Sequence, residues 1–115
     1  MAMEIPEDAR ILRIFIGEGD QCDGRPLYEA IVLKAREMQL AGATVLRGAI
    51  GYGHSSRLHT MNVLRLSDDL PLIVEIVDSA PAIDAFLPVL DRMMTSGLVI
   101  VETVQARRYG PARGN

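Results

Sequence analysis

The segment LPLIVEIVDSAP, residues 70–81, decides the fold. Residues 70–77 are apolar except for Glu75, and Ile73, Val74, Ile76 and Val77 are β-branched. Such a near-continuous run is the strongest strand signal in the chain. The pattern then changes within four residues. Asp78 or Ser79 is suited to cap a helix, and Pro81 to occupy its first turn. Ile83, Phe86, Leu87, Leu90 and Met94 follow at helical spacing. Pro88 lies inside this stripe and predicts a bend, because it removes one backbone hydrogen bond. Ser96-Gly97 stops the helix, and LVIVETV at 98–104 reads as a last strand.

The front half has the same grammar. ILRIFI at 11–16 predicts a central strand that stops at Gly17, and GEGDQCDG at 17–24 is turn material. Pro26 suits the first turn of a helix, with Asp23 as its candidate cap. Leu27, Ile31, Ala35 and Met38 form the buried stripe, and Gly42 ends the helix. Residues 44–53 read as a second strand, weakened by Gly48, Gly51 and Gly53. Residues 63–66 are a return strand or the start of the next element.

The order is therefore β-α-β-β-α-β. This is the α+β, ferredoxin-like pattern: a four-stranded antiparallel sheet with two helices on one face. The 115 residues make one domain, 1–115, with a core over about 10–109. In this topology the first and third strands lie together at the centre. Arg13 and Glu75 interrupt them and are placed to meet on the face away from the helices. Phe15, Ile73 and Val77 share that face, which is too apolar for water, and an oligomer that buries it is expected.

Composition narrows the function. A net charge of −3 with 4% aromatic residues argues against nucleic-acid binding. No run reaches the length of a membrane span, and the acidic start MAMEIPEDAR has no apolar signal core, so a cytoplasmic location is expected. The single cysteine, Cys22, can form neither an intrachain disulfide nor a cysteine-rich zinc site.

Chemistry gathers in RGAIGYGHSSRLHT, residues 47–60. His54, Ser55 and Ser56 lack an elbow motif and a third group to orient a base, so nucleophilic catalysis is not expected. His54 and His59 are the only histidines, and a transition metal needs at least three protein ligands. Three subunits each donating a histidine on a common axis would meet that need, as an alternative. Gly48, Gly51 and Gly53 allow either close approach of a ligand or a twisted, bulged edge strand. Arg47, Arg57, Arg107 and Arg108 are the anion-binding candidates, weighed against ordinary surface charge. The second and fourth strands lie at opposite sheet edges, so Arg47 and the Arg107-Arg108 pair meet only across a subunit boundary.

The loop frame RGAIGYG at 47–53, LSDDLPLIVEIVDS at 66–79 and TSGLVIVETV at 95–104 resemble the PII-like proteins of domain-of-unknown-function family 190, over about residues 11–109. More distantly the chain is similar to the PII signal-transduction proteins. Gly51-Tyr52-Gly53 corresponds to the Gly-aromatic-Gly that leads into their T-loop, and Leu70-Pro71 to the Leu-Pro that opens the following strand. The resemblance implies a homotrimer with ligand sites in clefts between subunits, and a sensor rather than an enzyme. It implies a small anionic effector, AMP, ADP or ATP, held around Arg47, Gly48, Gly51, Tyr52, Gly53, His54 and Arg57, with Arg107 and Arg108 from a neighbour. The signal would pass through loop 53–66 to a membrane transport protein or a regulated enzyme. The alternative is a metal-binding trimer similar to the copper-tolerance proteins, using His54 and His59. Two features depart from the PII pattern. The turn Met94-Thr95-Ser96-Gly97 has no lysine to hold phosphates, and the loop is short. A smaller nucleotide or another anion is thus an alternative to a triphosphate.

Overall fold

The computed structural model of the chain describes residues 9–48, 50–51, 59–60 and 70–110, with residues 50–51 and 59–60 described by their backbone alone. The main sheet is built from β1 (Ala9–Gly17), β4 (Ala43–Arg47), β7 (Pro71–Ser79) and β8 (Leu98–Val104), in the order β4-β7-β1-β8 with every neighbour antiparallel. Helix α1 (Leu27–Glu37) joins β1 to β4, and α2 (Ala80–Met93) joins β7 to β8. This is the expected ferredoxin-like sheet. Two small ladders lie outside it: β2 (Gln21–Cys22) with β3 (Arg25–Pro26), and β5 (Ile50–Gly51) with β6 (His59–Thr60).

Alternation sets the core. Leu12, Ile14 and Ile16 of β1, and Leu72, Val74 and Ile76 of β7, point to one face and are buried. Leu27, Ile31 and Ala35 of α1 and Ile83, Phe86 and Leu90 of α2 cover them in a single cluster, so both helices occupy that face. Each such large side chain, removed from water, stabilises the fold by about 1.5–3 kcal/mol. Ser79 caps α2, its hydroxyl accepting from Ala82 N–H at 3.3 Å. Asp78 has a different task. It is buried at 3% exposure and accepts from Ala41 N–H at 2.8 Å, which pins the α1–β4 connection to the end of β7. The helix then runs through Pro88 to Met93 without ending.

Three local readings need correction. Asp23 does not cap α1. It stands with Gly24 in the two-residue turn between β2 and β3, at φ 50° and 82°, the left-handed geometry of a tight hairpin. Pro26 precedes α1 at its cap position rather than lying in its first turn. Gly42 is not the stop of α1. The helix closes at Gln39, φ 64°, where Gln39 N–H donates to Arg36 O and Leu40 N–H to Ala35 O, both at 3.0 Å.

Among the described residues, no helix lies on the other face of the sheet. Arg13 meets Glu75 across the β1–β7 pair, Nε to Oε2 at 3.0 Å, and also pairs with Glu102 of β8. The hydrogen bonds to Glu75 first and Glu102 second hold the Arg13 guanidinium above its ordinary pKa, so it stays charged. Around this ion cluster stand Ile11, Phe15, Ile73 and Val77, with Leu46 and Leu98 at the two edges, 44% and 57% exposed. Val45 and Val101, on the helix side of the edge strands, are exposed as well.

Candidate functional site

One end of the sheet collects the residues singled out above. β1 ends there at Gly17, β4 ends at Arg47, β7 begins at Pro71, and β8 begins at Leu98 opposite Phe15. Gly48 leaves this end with its N–H donating to Pro71 O at 2.8 Å. A Cβ on Gly48 would stand 2.9 Å from Pro71 Cγ, so glycine lets the departing leg of the 49–69 segment pass close to the returning one. The returning leg is held at Leu70, whose carbonyl accepts from Glu18 N–H at 2.8 Å.

Arg47, the last residue of β4, donates from Nη2 to Glu18 Oε2 at 2.5 Å. The carboxylate comes from the residue just after β1, so the end of a central strand supplies the counter-charge for a residue on the edge strand. The α2–β8 turn reaches the same end. Gly97 there has φ +124°, and a Cβ on it would lie 2.7 Å from Phe15 O. Thr95 and Ser96 are exposed beside it.

The candidates divide clearly. Arg47 and Gly48 stand at this end, and the backbone of Gly51 pairs with that of His59. Arg107 and Arg108 follow β8 where β1 begins, with Val104 opposite Ala9. They therefore lie at the opposite edge and opposite end of one chain's sheet from Arg47. Tyr52, Gly53, His54 and Arg57, and most of loop 53–66, fall outside the described residues, as do residues 63–66, read as a return strand. Among the described residues no group of His, Cys, Asp and Glu is arranged to hold a metal ion. Cys22 is a free thiol in β2, half-buried against the core. Among the described residues, no helix is long and apolar enough to cross a membrane.

Glu18 was not among the residues singled out from sequence. It sits in what reads as turn material, and only the register of β1 against β7 brings it beside Leu70.

Two helices on one face of a sheet ordered β4-β7-β1-β8, with Gly48 and Gly51 following the second main strand, place the chain in the ferredoxin-like class of folds. Solved structures agree on the fold. CPII, a nitrogen regulatory PII-like protein from Thiomonas intermedia K12 solved with ADP, AMP and bicarbonate, superposes with a TM-score of 0.57 at 16% identity over 91% of each chain. B. subtilis GlnK gives 0.54 at 12% identity over 85% of this chain and 86% of its own. The sequence itself matches the profile of domain-of-unknown-function family 190 (DUF190), described as Uncharacterized ACR, over residues 9–106, and the chain belongs to that family. Two relatives, both called UPF0166 proteins, are similar along most of their length. That of Aquifex aeolicus is 34% identical over 96 residues, 84% of this chain and 90% of the relative. That of Methanocaldococcus jannaschii is 36% identical over 94 residues, 81% and 86%.

Proposed function

We propose that the protein is a cytoplasmic PII-like regulator, a homotrimer that binds an adenine nucleotide (AMP, ADP or ATP) in clefts between subunits. It acts as a sensor, not an enzyme. Arg47, Gly48 and the Gly51–Arg57 segment form one wall of each cleft, and Arg107 and Arg108 of a neighbouring copy form the other. Nucleotide binding orders loop 53–66, and the ordered loop docks on a partner, a membrane transport protein or a regulated enzyme.

One observation carries this reading. Arg47 and Gly48 stand at the end of a sheet whose uncovered face is apolar, while the chain's own Arg107 and Arg108 lie at the diagonal corner. In the proposed trimer that face is removed from water against other copies, and a cleft between chains holds Arg47 of one and Arg107 and Arg108 of the next. The fold's likeness to a PII-like protein solved with ADP and AMP supports the choice of ligand.

The test is calorimetric titration with AMP, ADP, ATP and cyclic nucleotides. Saturable binding of at least one, at one site per chain, is expected. Absence of binding by all of them contradicts the nucleotide assignment.

A further inference from the structure

Glu18 holds both legs of the 49–69 segment. Its carboxylate sits on the Arg47 guanidinium at 2.5 Å, where the chain leaves the sheet, and its backbone N–H bonds Leu70 O at 2.8 Å, where the chain returns. Its side chain is only 25% exposed, against 49% for that of Arg47, so the carboxylate is the more enclosed partner of the pair. A guanidinium presents a planar fork suited to carboxylate and phosphate alike.

We propose that Glu18 is a built-in competitor for Arg47, a carboxylate that occupies the guanidinium until a phosphate-bearing ligand displaces it. The inference rests on the nucleotide reading above and adds a residue that sets affinity and couples it to the loop. An incoming phosphate meets a like charge beside the cation it needs, which weakens binding. Once displaced, Glu18 no longer ties the departing leg to β1. The bonds of Glu18 N–H to Leu70 O and of Gly48 N–H to Pro71 O keep the base of the segment in place. Ligand occupancy thereby exchanges the Glu18 clamp for contacts to the ligand, and those contacts order the loop, with the sheet unchanged.

The test uses the full chain, with Glu18→Gln as the variant. Asp84→Asn is the control, because it breaks the Arg10–Asp84 ion pair at the opposite end of β1. ADP and, separately, inorganic phosphate are titrated calorimetrically. Tryptic cleavage after Arg57 and Arg65 is timed without ligand. Glu18→Gln is expected to bind both probes about fivefold more tightly and to be cleaved about two- to fivefold faster, with the control at wild-type values. Unchanged cleavage, or phosphate binding no tighter than wild type, overturns the proposal. Failure of the nucleotide reading shows differently: no variant binds ADP, while the faster cleavage and tighter phosphate binding of Glu18→Gln persist.

Discussion

At Gly97 the backbone takes φ +124°, and a side chain there would press on Phe15 O at 2.7 Å. Strain and clash both fall on rigid backbone, at the turn that shapes the candidate site. Gly97→Ala should cost about 1–3 kcal/mol in denaturant unfolding. Gly42 has open space around it and does not take a left-handed φ. Gly42→Ala should leave stability within about 1 kcal/mol of wild type. Equal effects of the two substitutions would contradict this account of the turn. The sequence shows both glycines but not which is constrained, because the constraint on Gly97 comes from β1, some eighty residues earlier in the chain. The same is true of Glu18 and Leu70, whose bond depends on strand register. Arg13 and Glu75 were legible because each interrupts an otherwise apolar strand, and topology alone places those strands side by side.

Among the elements, α1 shows how a stop is made. Gln39 adopts φ 64°, and the backbone bonds of Gln39 and Leu40 close the last turn of the helix. An L side chain in that conformation is disfavoured, and glycine is the usual occupant. Gln39→Gly should therefore stabilise the protein by about 1 kcal/mol, read as a higher midpoint in urea. A loss of stability would contradict the left-handed cap. The helical stripe of α1 was plain in the sequence because its period is 3.6, but its end was not, since the cap is built from backbone and Gly42 drew the boundary too late. The Asp23-Gly24 pair, a short-range hairpin signal, was present and marks β2–β3. Of residues 44–53, read as one strand, the described ones fall in β4 and β5, because beyond Arg47 the ladder with β7 ends. The strand β7 and the start of α2 followed directly from LPLIVEIVDSAP, and of the two candidate caps, Asp78 and Ser79, the structure uses Ser79.

For the whole molecule, the sheet order β4-β7-β1-β8 has the two parallel pairs β1/β4 and β7/β8 each joined through a helix, and the preference of such crossovers for one hand puts both helices on a common face. Among the described residues, that leaves one apolar face and two apolar edges uncovered, with an ion cluster of Arg13, Glu75 and Glu102 in their midst. The candidate residues were less legible than the fold: edge order separates Arg47 from Arg107 and Arg108, but the Arg47–Glu18 pair needs the register that brings the ends of β4 and β1 together, and Tyr52, Gly53, His54 and Arg57 lie outside the described residues. The central claim is that assembly of copies creates the site. Light scattering coupled to size exclusion tests it most directly. The account predicts a mass about three times the 12.6 kDa of one chain, held on dilution. A single-chain mass at every concentration would contradict it.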